Sequence, residues 1–408
     1  MSDGALIPNV LVPRSVIADS ETFGGSVVKD GVTGDLLLRN GRAIALRPSE
    51  AAPERILLPR LTDPHVHLDK CHSVDRMDNV GGDLAAALAA QRADKAHWTV
   101  DDLRARAGRG LSELMAAGCG LVRSHVDWGD DSIPDEVPLA WEVLGDLATD
   151  AGSELTLQRA ALVNVHLLAD PDYARRCAAR IARDGGVLGT FVLDQPQRRA
   201  GVQNAFREAS RLGIALDFHV DEGLQAGLHG VEMIADIALE TGFDGPILCG
   251  HACALSTLPE DDVARIADKL ARAGIAVAAL PQTNLYLQGR RGGTPDLRGL
   301  TRVHELRAAG VNVVLGADNV RDAFCPIGQH VPLVTLGLGV LSAHLDPPFA
   351  DHLPMISTDA ARALGQAPLY VDQARIGALI VFEARSISDL VANAPAPRPL
   401  AELTGEEE

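Results

Sequence analysis

The sequence predicts a (β/α)8 TIM-type barrel with a small β-sandwich domain formed from the N- and C-terminal segments. Three observations predict it. Eight short apolar runs, each followed by a segment of helical periodicity, span roughly 250 residues, which is the arithmetic of an eight-stranded parallel barrel. Residues 7–60 instead hold apolar bursts broken by Gly, Asp, Asn and Pro, as in a small antiparallel β unit with tight turns. Histidines and acids stand at the ends of several apolar runs, where barrels carry their chemistry. The alternative is an open doubly wound sheet, but no Gly-x-Gly-x-x-Gly loop follows a strand to support it.

In chain order, Arg39-Asn40-Gly41-Arg42 is the clearest hairpin turn. The run Ile56-Leu57-Leu58-Pro59 leads into Leu61-Thr62-Asp63-Pro64-His65-Val66-His67-Leu68-Asp69-Lys70. On a strand, residues i and i+2 share a face, so His65 and His67 point the same way. Segments 83–95, 100–117 and 136–150 have helical spacing and are rich in Ala and Leu. Further strands fall at 120–126, 158–165, 187–193, 214–219, 246–251, 275–280 and 311–316. Helices fit at 171–184, 200–212, 228–241, 258–273 and 300–309. More helices open the tail after 331. The run Ile376-Gly-Ala-Leu-Ile-Val-Phe-Glu then reads as a strand returning to the N-terminal β unit. The Pro-rich stretch 394–399 and the acidic end 405–408 read as frayed. The expected division is 1–60 with 366–408 as the β domain and 61–365 as the barrel.

With 408 residues, 47% of them hydrophobic, the chain has ample material for such a core. Its net charge of -18 argues against nucleic acid or an anionic membrane as partner. Six scattered cysteines form no disulfide framework and suit a reducing cytoplasm. No signal peptide or membrane-spanning run is apparent. A homo-oligomer is compatible with everything in the sequence.

The strand ends carry the functional reading. The first barrel strand ends in His65 and His67, the fifth in His219 followed by Asp221 and Glu222, the sixth in His251, and the eighth just before Asp318. Any one of these histidines could satisfy a loop carbonyl. Jointly they bring nitrogen and oxygen donors around one point and indicate a divalent metal, zinc or iron(II). Cys249-Gly250-His251-Ala252-Cys253 is a near miss for a thiolate site, but buried cysteine usually packs. The Pro-Cys-x-x-Cys signature of one class of zinc enzymes is absent.

These residues resemble the amidohydrolase superfamily, and within it the bacterial cytosine deaminase group, from about residue 25 to 385. The resemblance lies in Asp63-Pro64-His65-Val66-His67-Leu68-Asp69, Arg123-Ser124-His125-Val126-Asp127 and His219-Val220-Asp221-Glu222. It continues through Asn284-Leu285-Tyr286-Leu287-Gln288-Gly289-Arg290, Thr301-Arg302-Val303 and Gly316-Ala317-Asp318-Asn319-Val320-Arg321-Asp322. It implies His65, His67, His219 and Asp318 as ligands of one metal ion per subunit, Asp318 also serving catalysis. It implies Glu222 as proton shuttle and His251 as hydrogen-bond partner of the metal-bound water. The family's binuclear branch uses a lysine on the fourth strand; 186–194 contains none, which favours a mononuclear site. His125 and Asp127 are expected to support the metal shell, and the remaining histidines, His72 and His330 among them, to pack or face solvent.

The resemblance further implies Asn164, Asn319, Phe324 and Gln288 as substrate contacts. Asn164 stands where the cytosine deaminases use glutamine, Asn319 where they carry aspartate and Phe324 near their tryptophan. Tyr286 replaces a histidine. Asn319-Val320-Arg321-Asp322 is closer to s-triazine-hydrolysing relatives. The expected activity is deamination of a small nitrogen heterocycle, cytosine or a related aminopyrimidine, with release of ammonia. The alternatives are hydrolysis of another C–N bond, as in an N-alkylamino s-triazine or a cyclic amidine, and a non-catalytic ligand-binding barrel.

Overall fold

The computed structural model describes residues 5–78, 80–372 and 374–404. Its strands are β1 (Leu6–Pro13), β2 (Ser26–Val28), β3 (Gly31–Arg39), β4 (Arg42–Arg47), β5 (Arg55–Pro59), β6 (Leu61–Val66), β7 (Cys119–Asp127), β8 (Thr156–Asn164), β9 (Val187–Val192), β10 (Leu216–Val220), β11 (Ile247–His251), β12 (Ile275–Ala279), β13 (Val313–Leu315), β14 (Leu379–Phe382) and β15 (Arg398–Pro399).

Seven strands from both chain ends form one sheet, in the order β15-β14-β5-β1-β3-β2 with β4 beside β3. Asn40 (φ 53°) and Gly41 (φ 66°) make the β3–β4 turn in the left-handed region, as a two-residue hairpin requires. The pairs are antiparallel except β1 with β5, which run parallel. The expectation of a purely antiparallel unit is corrected here: residues 48–54 cross over and bring β5 back beside β1 in the same direction. β14 pairs with β5, Val381 opposite Leu57, as the returning strand was expected to do. The tail also differs from expectation. Residues Arg398–Pro399 extend the sheet edge against Ile380 and Val381, and Leu400–Thr404 is helical. Pairing to a distant edge overrides the local proline signal. Residues 405–408 lie outside the described residues.

Strands β6 to β13 form the second sheet, eight strands in sequence order and all parallel. The seam between the last strand and the first is drawn together by three contacts. Val66 bridges Asp318, the Asp318 N–H donates to the His65 carbonyl at 2.7 Å, and the Asp63 carboxylate accepts from the N–H groups of His65 and Ala317. Both edges of the sheet thus meet at the residues expected to hold metal.

Helices pack outside the barrel with their starts fixed by local chemistry. Thr99 caps Val100–Ala116 through a hydrogen bond from the Asp102 N–H, with Asp101 and Asp102 in the first turn. Asp170 caps Pro171–Arg183, which buries Ala174, Cys177, Ala178 and Ile181. Each buried leucine- or isoleucine-sized side chain contributes about 1.5–3 kcal/mol. Trp141, fully buried, donates to Asp184 at 2.8 Å and stacks beneath the Arg159 guanidinium. All six cysteines are buried and free. Among the described residues no helix is long and apolar enough to cross a membrane.

Candidate active site

The C-terminal ends of the barrel strands converge on a buried donor set. His65 Nε2 lies 3.0 Å from His219 Nε2, which lies 3.1 Å from His67 Nε2. Asp318 Oδ1 is 3.5 Å from His65 Nε2 and 3.3 Å from His67 Nε2. All four residues are at least nine-tenths buried. His219 Nε2 has either one proton or one lone pair and cannot satisfy both neighbours. A cation among the nitrogens resolves this. Bonds of about 2.0–2.1 Å in a tetrahedral arrangement would set donors about 3.4 Å apart, close to the spacing present. Burial, followed by neighbouring imidazoles or Lys70, pushes the three histidines well below their ordinary value, into the neutral form that ligates. The residues therefore fit a metal ion.

His125 joins this group. Its ring stacks on His65 at 3.9 Å, and its Nε2 lies 2.9 Å from Asp217, which Arg123 holds at 2.8 Å. Asp127 instead pairs with Lys95 at 2.6 Å. Asp221 is structural: its two carboxylate oxygens accept from the Gly230 and Val231 N–H groups and start the helix Gly230–Thr241.

His251 and Glu222 stand beside the donor set, Nε2 to Oε2 at 3.7 Å. The Asn284 amide donates to His251 Nδ1 at 3.1 Å, which leaves the ring proton on Nε2, facing Glu222. Burial lowers His251 to about 4. Burial and the Asp318 charge, opposed by Lys70, push the Glu222 carboxyl well above its ordinary value. A raised carboxyl and a neutral imidazole at one site are suited to moving a proton.

These groups open into a cavity of about 660 Å³. His67, His219, Glu222, His251 and Asp318 line it, and so do Asn164, Asn319 and Phe324. Gln288 is placed otherwise. It sits behind Glu222, donating to its carbonyl at 3.5 Å, and does not line the cavity. The Asn164 amide is engaged at both ends, donating to Asp130 at 2.9 Å and accepting from the His166 N–H at 3.3 Å. Asn319 donates to Asp322 at 2.6 Å.

Sequence reasoning assigned no role to Asn284, Lys70, Trp128 or the helix Leu84–Asp94. Lys70 and Trp128 line the cavity, and the helix contributes Leu84, Leu88, Gln91 and Arg92. The signal for Lys70 was its place three residues after His67 in the same motif. The signal for the helix was weaker: its cavity-facing residues mix apolar and polar types, so no stripe marks the face.

The model of the amidohydrolase family matches residues 158–368. A pterin deaminase from Rhizobium rhizogenes (strain K84 / ATCC BAA-868) is 31% identical over 403 residues, covering 97% of this chain and 90% of that protein. The chain belongs to the amidohydrolase family, and it is a hydrolase acting on carbon–nitrogen bonds. Its fold is that of 5-methylcytosine deaminase from Klebsiella pneumoniae liganded with 5-fluorocytosine, at a TM-score of 0.81 and 23% identity over 97% of this chain and 96% of that one. N-isopropylammelide isopropylaminohydrolase from Burkholderia multivorans ATCC 17616 is also similar, with a TM-score of 0.75 and 23% identity over 97% and 95%.

Proposed function

We propose that the protein deaminates a nitrogen heterocycle containing an aminopyrimidine ring, and that a bicyclic, pterin-type substrate is favoured over free cytosine. The observation that carries this reading is the cavity. At about 660 Å³ it falls within the range, about 300–1,000 Å³, of pockets that enclose drug-sized ligands, and a single six-membered ring fills only part of it. The pterin deaminase relative supports the same choice.

His65, His67, His219 and Asp318 would hold one divalent ion, zinc or iron(II), with neutral imidazoles and a carboxylate that suit either. When bound, the ion supplies Lewis acidity that lowers the pKa of water at the site to about 7. The protein's own groups do the rest. Glu222 takes the proton released as water adds to the amino-bearing carbon and passes it to the departing nitrogen. His251, its Nδ1 fixed by Asn284, presents its N–H to the attacking oxygen and holds its direction. The C–N bond breaks, a ring carbonyl forms, and ammonia leaves. Asn164, Asn319 and Phe324 form the walls against which the ring is oriented. In this reading Gln288 acts by supporting Glu222 from behind. In the same reading 61–365 make up the barrel, and the described residues of 1–60 and 366–404 make up the β domain. Six free, buried cysteines support a cytoplasmic setting.

The test is ammonia release by metal-replete protein from pterin, isocytosine, cytosine, 5-methylcytosine and amino-s-triazines, with each product identified by mass. The expected result is turnover of pterin above cytosine. Turnover of cytosine above pterin would overturn the substrate choice. Release of alkylamine from an N-alkylamino s-triazine, with no ammonia from any other compound, would overturn the deaminase reading.

A further inference from the structure

We propose that Lys70 is a specificity residue whose ammonium holds a ring oxygen of the substrate, so that the cavity selects amino heterocycles that also carry an oxo group. This rests on the deaminase reading above and goes beyond it, because it assigns a second chemical requirement to the substrate and a residue that imposes it.

Lys70 is 4% exposed and lines the cavity. A buried lysine is ordinarily paired with a carboxylate. Here Nζ makes no ion pair or hydrogen bond among the described residues and lies over the Phe324 ring, 5.3 Å from its centre. Asp69, Asp127, Asp318 and Asp322 surround the ammonium, and although one Asp69 oxygen has no hydrogen-bond partner, none of the four is ion-paired with Nζ. Asp127 pairs with Lys95 at 2.6 Å, and Asp69 accepts from the Asp127 N–H at 2.9 Å. Asp322 accepts from the Asn319 amide and from the Phe324 and Cys325 N–H groups. The surrounding field keeps Lys70 cationic without using its three donors. Those donors therefore remain for an acceptor inside the cavity.

The neighbouring groups define that acceptor. Phe324 offers a flat apolar face beside the cation, which suits an aromatic ring whose oxygen projects past its edge. Addition of water to the amino-bearing carbon pushes electrons through the conjugated ring onto such an oxygen. A cation fixed there gains most as this charge develops. A ring without the oxo group leaves the ammonium desolvated and unpaired, which strongly disfavours its binding.

The test pairs ligands that differ only by the oxo group: pterin with 2-aminopteridine, and isocytosine with 2-aminopyrimidine. Binding is measured by calorimetry on metal-replete, full-length protein carrying Glu222→Gln, which suppresses turnover. We expect the oxo member of at least one pair to bind about 100-fold more tightly. Adding Lys70→Met removes that advantage and changes the affinity of the oxo-free member by less than about threefold. Lys70→Arg restores part of it. Equal binding within both pairs overturns the proposal, as does no binding of any member. So does a Lys70→Met protein that keeps its oxo preference and only melts at lower temperature, since Lys70 would then be a structural counter-ion. Should Lys70→Met fail to fold, the ligand pairs and Lys70→Arg still decide. An oxo preference that depends on Lys70, without ammonia release by the wild type, would sink the deaminase reading and leave the Lys70 assignment standing.

Discussion

At the mouth of the barrel, left-handed backbone falls on Asp221 (φ 52°), His251 (φ 69°), Ala252 (φ 47°) and Asp318 (φ 62°). In the unit built from the chain ends it falls on Asn9, Gly24, Gly25, Asn40 and Gly41, with Ala394 (φ 41°) the exception. Glycine enters this region at no steric cost and asparagine at little, whereas alanine and most other residues lose of order 1 kcal/mol. That unit thus largely places permissive residues where the backbone needs them. The mouth keeps the side chain that the chemistry needs and tolerates the conformation. The same division holds for polar groups. The mouth buries three imidazoles within 3.0–3.1 Å steps, an arrangement that no scaffold requires.

Removing the metal should break the comparison most completely. Chelation is expected to abolish turnover and to lower the melting temperature, and added zinc or iron(II) should restore both. Unchanged activity after complete metal removal, checked by elemental analysis, would refute the metal assignment. Glu222→Gln should lower kcat by about 10²–10⁴-fold with metal content intact; unaltered kcat would remove Glu222 from the mechanism. Asn284→Ala should cost about 10–100-fold in kcat by freeing the His251 ring, with little change in KM.

Smaller effects are expected away from the mouth. Glu113 accepts from His72 at 2.9 Å and from His330 at 3.0 Å, joining the helix Val100–Ala116 to the loops after β6 and β13. The His330 hydrogen bond, with the neighbouring charges, holds this carboxyl down at about 2 against an ordinary 4.5. A depressed carboxylate stabilises the fold above pH 4.5 and loses that contribution as pH falls toward 2. After allowance for solvent screening, Glu113→Gln should cost about 1 kcal/mol at pH 7. The gap in melting temperature from wild type should narrow below pH 4.5. A pH-independent gap would assign the effect to packing. Gly41→Ala meets no atom within 4 Å, so its cost of about 1 kcal/mol is conformational alone, and activity should be untouched.

The barrel was legible because its signals are local. Alternating apolar runs and capped helices recur along the chain, and histidines mark strand ends where side-chain direction follows from alternation. What remained hidden depends on long-range pairing or on side-chain direction in loops. The Arg398–Pro399 strand exists because β14 offers an edge. The Asn164 amide turns to Asp130 on another loop, and Gln288 turns away from the cavity behind Glu222. The ammonium of Lys70 faces the cavity although it follows Asp69 in a buried stretch, and periodicity ends with the strand.

The seam that joins β13 to β6 also bears on when the proposed site can be completed. The Ala317 N–H reaches the Asp63 carboxylate across 254 positions of sequence. During synthesis, at about 5–20 residues per second, these two partners emerge from the ribosome tens of seconds apart. A nascent chain that has completed β6 through β12 holds His65, His67 and His219 but lacks Asp318. With the ligand set proposed above, the last donor arrives with the same segment that closes the barrel, so a partly made chain would have no complete site and maturation of the hydrolase would coincide with closure of its fold.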